Sequence, residues 1–201
     1  MNDPGESSPC ICAVEPAPEE PEPPGWLAVT ILEEAGDWAA IASREEAVVR
    51  AAAALARHPA CAAARGAEAC VVLADDAVVR LLNREYRGRD AATNVLSFPF
   101  QMPALSEPAD KDDTEAEAAG ASAEPRHLGD VLLAAETVCR EADAQGILPV
   151  HHLQHLVVHG LLHLLGLDHD TDSRAEAMER LEVEILATLG VPDPYAAAEG
   201  R

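Results

Sequence analysis

The sequence predicts a single α+β domain in which a small, mostly four-stranded sheet is packed with helices. The length of 201 residues suits one domain of ordinary size. Hydrophobic residues make up 48% of the chain and aromatic residues only 3%, so the chain can bury a core built from aliphatic side chains. Four short apolar runs and five helical patterns follow one another, and no repeat of 20 to 50 residues is visible.

The strand predictions rest on short runs rich in aliphatic residues. These runs cover residues 26–32, 69–74, 94–98 and 130–133. The helix predictions rest on apolar periodicity and on end signals. The five helices cover residues 44–57, 76–86, 135–144, 149–165 and 173–189. Asp75 can cap the second helix, Pro149 suits a first helical turn, and Gly146 and Gly190 can each end a helix.

Two segments are predicted to lie outside the packed elements. Residues 1–25 contain seven prolines and six acidic residues, a composition that predicts a disordered, acidic, Pro-rich tail. Residues 101–126 are rich in Ala, Glu and Asp and contain three prolines, which predicts a long acidic insertion loop. The expected domain therefore spans residues 26–198, with the loop at 101–126.

The net charge of −22 would ordinarily argue against a nucleic-acid partner, because Lys and Arg dominate phosphate binding. The tail has six acidic and no basic residues, and the loop has seven acidic and two basic residues, so together they account for half of the charge. Four arginines lie within ten positions of one another: Arg80, Arg84, Arg87 and Arg89. An anionic substrate is therefore compatible with this chain.

Cysteine usage and hydropathy favour the cytoplasm. The five cysteines are an odd number without C-x-x-C spacing, in a chain that is too long to need disulfides for stability. Neither an apolar run of the length of a membrane-spanning helix nor a secretory leader pattern is visible. We expect a cytoplasmic protein without a membrane partner.

Three histidines form the most informative pattern. His159 and His163 are four residues apart on the most apolar predicted helix, so one metal ion can meet both rings. Gly166 can end that helix in the left-handed conformation, which brings His169 back to the same ion. Three imidazoles without an evident fourth ligand are typical of catalytic zinc. The alternative is a histidine-rich helix whose imidazoles are satisfied core or surface groups; His151 and His152 are expected to face solvent.

The spacing H-x3-H-x2-G-x2-H is shared with the long zinc-peptidase helix, so the metal helix is expected to be zincin-like. In those peptidases the residue after the first histidine is the catalytic glutamate, but here it is Gly160. Peptide hydrolysis would therefore lack its general base. We expect Gly160 to leave open space beside the metal, which could admit a bulkier group such as a phosphodiester.

With these motifs the chain resembles the YbeY endoribonucleases, bacterial metal-dependent enzymes of ribosomal RNA maturation. The resemblance is carried by the metal motif at 159–169 and by a second motif, residues 82–90 followed by 93–99. Residues 128–131 and 189–195 look like further family segments. The resemblance covers 26–198 apart from the loop, which is longer than expected for the family.

The resemblance implies that His159, His163 and His169 bind zinc and that Arg87 supports ribonuclease activity. Both roles are physically reasonable, because zinc can polarise a phosphoryl oxygen and an arginine fork suits the same phosphate. Without the resemblance, Arg87 could equally be an ordinary surface arginine at a helix end. The general base is left open: Asp168, Asp170 and His155 are candidates, and Asp168 could instead orient a ligand histidine.

The predicted function is a zinc-dependent, single-strand-specific endoribonuclease acting in ribosomal RNA processing, including 16S 3′ end maturation, and in ribosome quality control. The expected partners are small-subunit ribosomal RNA, small-subunit ribosomal proteins and assembly factors. A different class of function is a ribosome-assembly factor with a mainly structural zinc and weak nuclease activity. A third is a metal-dependent hydrolase of a small substrate or peptide, although Gly160 counts against its peptidase form.

Overall fold

The computed structural model describes residues 25–100 and 125–196. In chain order the elements are β1 (Ala28–Glu33), α1 (Arg44–Arg57), a short 3-10 helix (Pro59–Ala64), β2 (Ala67–Ala74), α2 (Asp76–Arg87), β3 (Val95–Pro99), β4 (Arg126–Ala134), α3 (Ala135–Gln145), α4 (Pro149–Leu164) and α5 (Asp172–Ala187). The predicted tail, up to residue 24, and residues 101–124 of the predicted loop lie outside this description.

The four strands form one mixed sheet in the order β1-β2-β4-β3. Strands β1, β2 and β4 are parallel, and β3 is antiparallel to β4 at the edge. The α+β prediction with a four-stranded sheet is therefore confirmed. Strand β4 is longer than the predicted 130–133, because it pairs with β2 from Arg126 onward and with β3 on its other side. Arg126, which was expected to end the insertion loop, is instead the first residue of β4.

The helix boundaries follow the local end signals. Helix α1 has the predicted bounds, and the Asp75 carboxylate accepts a hydrogen bond of 2.7 Å from the Val78 N–H at the start of α2. Pro149 occupies the first turn of α4. The 3-10 helix after α1 was not predicted; it begins at Pro59, where the backbone leaves the α-helix, and His58 Nδ1 accepts from the Ala60 N–H.

The larger core lies between the sheet and helices α1 and α4. Ten of the sixteen residues of α4 are buried, so this helix runs through the interior rather than over the surface. Small side chains of α1, such as Ala51 and Ala52, are fully or almost fully buried in the same core. A smaller cluster lies on the opposite face, where Val79 of α2 is buried together with Leu96 and Leu132. The sheet thus has one thickly covered face and one thinly covered face.

None of the helices that the structure describes is both long enough and apolar enough to span a membrane.

Candidate metal centre

The structure brings the three predicted histidines together at the end of α4. His159 and His163 project from one face of the helix, one turn apart. After Leu164 the chain passes through Gly166 at φ +87°, a conformation that glycine adopts without strain, and returns to place His169 beside them. One nitrogen of each ring lies within 4.8 Å of the others. His159 Nε2 and His163 Nε2 are 3.1 Å apart.

This arrangement fits a metal ion. Two nitrogens bound to one tetrahedral zinc at about 2.0–2.1 Å would lie roughly 3.3 Å apart, close to the separation found between His159 and His163. Burial, together with the neighbouring His159 and His169 rings, lowers the pKa of His163 below its usual value. The neutral ring is therefore favoured, and this is the form that ligates a metal. Three imidazoles suit zinc and also copper, iron and nickel.

A buried carboxylate, which the sequence analysis missed, holds one of these rings. Glu182 of α5 is completely buried, and its Oε1 lies 2.7 Å from His159 Nδ1. Its Oε2 lies 3.3 Å from His155 Nε2 and accepts a hydrogen bond from the Tyr195 hydroxyl. Burial alone would raise the pKa of Glu182, but the hydrogen bonds from His155, His159 and Tyr195 outweigh burial and lower the pKa to about 2. Glu182 is therefore an anion at neutral pH.

A signal for Glu182 does exist in the sequence. It lies four residues after Met178 and three before Ile185, and both of these side chains are buried. A carboxylate within the apolar stripe of a helix is unusual, because an isolated buried charge is costly. A buried carboxylate at such a position needs polar partners elsewhere in the fold, but the apolar periodicity of the helix does not identify them.

Arg87 reaches the same site from the other face of the sheet. It is the last residue of α2, and its Nη2 donates to the backbone carbonyl of Ser97 on the edge strand β3, at 3.2 Å. A groove of about 500 Å³ runs along β3 and past the histidines. Its polar lining consists of Arg87, Thr93, Asn94, Ser97, His159, His163, Asp168 and His169. Residues of both sequence motifs therefore line one groove.

The expectation for Gly160 was wrong. A Cβ atom at this position would lie 2.6 Å from Val131 Cγ1 and 3.1 Å from Ser97 Oγ. The glycine therefore provides no open space beside the metal. Its missing side chain lets α4 approach β3 and β4 closely, and this close approach keeps the histidines near the edge strand.

The candidate bases occupy different surroundings. Asp168 lines the groove and accepts the His169 backbone N–H at 2.8 Å, which lowers the pKa of its carboxyl. Asp170 pairs with Arg174 at 3.0 Å, and His155 is engaged with Glu182. Of the three, only Asp168 is among the residues that line the groove.

The expectation that His152 faces solvent was also wrong. Its side chain is 4% exposed, and its Nε2 lies 2.9 Å from Glu141 Oε2. The same carboxylate oxygen accepts from Asn94 Nδ2 at 2.8 Å. Burial lowers the pKa of His152, although the Glu141 carboxylate opposes this effect. His152 therefore belongs to the packing between α3 and α4.

Comparison with known proteins identifies a family to which this chain is similar. The family model described as "Endoribonuclease YbeY" matches residues 36–190. A relative of that name from Rhodopseudomonas palustris strain BisA53 is 55% identical over 130 residues, which are 65% of this chain and 68% of the relative. Another, from strain BisB5, is 46% identical over 193 residues, or 96% of this chain and 94% of the relative. A third, from Azorhizobium caulinodans, is 43% identical over 176 residues, which are 87% of this chain and 100% of the relative. The chain belongs to the endoribonuclease YbeY family.

Proposed function

We propose that this protein is a zinc-dependent endoribonuclease that cleaves single-stranded RNA. The observation that carries the proposal is the groove in which three clustered imidazoles and the Arg87 guanidinium lie together. Membership of a family whose members are named endoribonucleases supports the same reaction.

The three histidines would hold the zinc ion, and a bound zinc would supply Lewis-acid polarisation of a phosphoryl oxygen. Arg87 supplies a fixed positive charge with several N–H donors to the same groove. Because Ser97 engages only Nη2, the remaining guanidinium donors can bind the oxygens of a phosphodiester. A chain of net charge −22 thereby gains a local site for an anion.

Asp168 is the candidate base that lines this groove. Its carboxylate is exposed, and the hydrogen bond from the backbone of His169 lowers its pKa, so the group is ionised but is a weak proton acceptor. We propose that it acts either as the proton acceptor or as the group that orients His169, the two roles that the sequence leaves open.

We propose ribosomal RNA as the substrate, with roles in 16S 3′ end maturation and ribosome quality control in the cytoplasm. Small-subunit ribosomal proteins and assembly factors would be the protein partners. A ribosome-assembly factor with a mainly structural zinc is the alternative. The open groove with Arg87 opposite the histidines favours the catalytic reading, since structural zinc sites are usually closed by four protein ligands.

The test is cleavage of a single-stranded RNA by the purified protein, with metal content measured on every sample. We expect cleavage to be lost after chelation and restored by zinc, and a duplex of the same sequence to resist. Arg87→Ala should cleave about 10²- to 10³-fold more slowly while retaining its zinc. The matched control is Arg50→Ala, which removes an exposed arginine of α1, outside the groove lining.

A folded, zinc-loaded protein that cleaves no RNA would contradict the nuclease proposal and support the assembly-factor alternative. In that case association with the small ribosomal subunit, measured by co-sedimentation, is the next experiment. Restoration by another metal but not by zinc would contradict the assignment of zinc alone.

A further inference from the structure

The interior of the protein contains a chain of contacts from the metal ligand His159 to the segment that follows α5. Glu182 is the centre of this chain and has no solvent exposure. Its two carboxylate oxygens contact three side chains from two other parts of the fold: His155 and His159 of α4, and Tyr195. A buried carboxylate with three polar partners has a fixed orientation, because each contact restricts its rotation.

The contact with His159 determines which ring nitrogen carries the proton. Glu182 Oε2 already contacts His155 and accepts from the Tyr195 hydroxyl, and the carboxylate oxygen Oε1 is an acceptor, so the 2.7 Å contact of Oε1 with Nδ1 places the proton on Nδ1. A neutral ring protonated at Nδ1 has a free electron pair on Nε2. That nitrogen is the one that faces His163 Nε2, at 3.1 Å. Glu182 therefore favours the tautomer and the ring orientation that a metal ion requires.

Tyr195 fixes the carboxylate from the opposite side. After α5 the chain turns at Gly190, with φ +75°, and the Val191 N–H donates to the Leu186 carbonyl at 3.1 Å. Val191 is buried, so this segment is attached to the core before it reaches Tyr195. The Tyr195 hydroxyl then donates to Glu182 Oε2, and its ring packs edge-on against His155 with centroids 5.7 Å apart.

We infer that Glu182 and Tyr195 are positioning residues of the metal centre, which act through His159 and make residues 191–196 part of its support. The inference rests on the metal binding included in the proposed function. Neither residue is among those that line the groove. Their effect is on metal affinity and on the state of His159, and only through these on any reaction.

The experiment compares Glu182→Gln and Tyr195→Phe with the wild type. Glutamine has nearly the shape of glutamate, but it can present either an acceptor or a donor to His159 Nδ1 and therefore no longer selects one tautomer. The matched control is Glu179→Gln, which removes the same charge from an exposed position of the same helix. Zinc affinity is measured by competition with a chromophoric chelator. The tautomer of His159 is measured in the metal-free protein by nitrogen-15 NMR of the imidazole.

We expect Glu182→Gln to weaken zinc binding by about 10- to 100-fold, the usual cost of losing such a partner. Tyr195→Phe should weaken it less, because it retains the carboxylate and the ring packing. Glu179→Gln should stay within about twofold of the wild type. Metal-free His159 should be protonated at Nδ1 in the wild type and should become a mixture of tautomers in Glu182→Gln. A helix that is merely less stable would not change this tautomer ratio.

Unchanged zinc affinity and an unchanged tautomer in Glu182→Gln would overturn the inference. If Glu182→Gln does not fold, the test is the zinc affinity of Tyr195→Phe. An affinity equal to that of the wild type would then overturn the inference. The two proposals fail in different ways. A zinc-loaded wild type that cleaves no RNA contradicts the nuclease, whereas an active wild type whose Glu182→Gln variant binds zinc equally well contradicts only the positioning role.

Discussion

The two faces of the sheet contribute different residues to the site, and these residues differ in how deeply they are buried. On the thick face, His159 and His163 belong to α4, which is mostly buried. On the thin face, Arg87 is an exposed residue at the end of α2 and reaches over the edge strand. The proposed ligands His159 and His163 are thus held by the packing of the core, whereas the Arg87 guanidinium is held by a single backbone carbonyl. Changes on the thick face should therefore affect metal binding and stability, whereas changes at Arg87 should affect the reaction and leave metal binding and the free energy of unfolding nearly unchanged.

The strongest test of this contrast removes a proposed metal ligand. We expect His163→Ala to weaken zinc binding by more than the roughly 10- to 100-fold cost of losing an outer partner, because the described residues offer three clustered ligands at this site. Cleavage should fall below detection. The control is His151→Ala, which removes another imidazole from the same helix. Zinc affinity that survives in His163→Ala would show that the ligands are other residues.

Arg87→Ala separates reaction from stability. We expect cleavage to fall by about 10²- to 10³-fold, the usual cost of losing one donor to a developing charge. The free energy of unfolding should change by no more than about 0.5 kcal/mol, because the side chain is exposed. Arg87→Lys retains the charge without the fork and should recover only part of the activity. A large fall in melting temperature would mean that Arg87 holds β3 in place.

Gly160→Ala tests the close packing on the thick face. The added methyl group would collide with Val131, so we expect a loss of about 1–3 kcal/mol in the free energy of unfolding, measured by denaturant titration. If that collision is the cause, combining the change with Val131→Ala should cost less than the sum of the two single changes. If the losses in unfolding free energy of the two single variants add fully, the loss in Gly160→Ala does not come from the collision with Val131.

The smallest expected effect concerns His152. Burial lowers its folded pKa, so the unfolded chain binds more protons as the pH falls below the ordinary histidine pKa of about 6.5. Stability should therefore decrease from pH 7.5 to pH 5.5. The metal-free protein should lose more stability over this range than the metal-free His152→Gln variant, as measured by urea titration at both values. An equal loss in the two proteins would show that His152 does not contribute to the pH dependence.

The features that the sequence predicted correctly depend on residues that are close together in the chain. Helix α1 was predicted from its own residues, and the histidine cluster depends on one helical turn and a glycine at a positive φ. What it missed depends on contacts between distant elements. Glu182 finds its partners on α4 and after α5, and the role of Gly160 depends on Val131 of β4. The buried state of His152 likewise depends on Glu141 of α3. Periodicity shows which face of a helix is apolar, but it does not show which neighbour that face meets.

The contact between Arg87 and Ser97 should also affect how this protein behaves at high concentration. In the part of the chain that the structure describes, β3 ends the sheet on its side, and the exposed margin of an edge strand is a template on which another chain can add and start aggregation. The backbone oxygen of Ser97 accepts a hydrogen bond from the charged Arg87 guanidinium. It therefore does not accept one from the N–H group of an incoming strand. Arg87 should thus also hinder strand addition along this edge, and Arg87→Ala should leave the edge of β3 open to it.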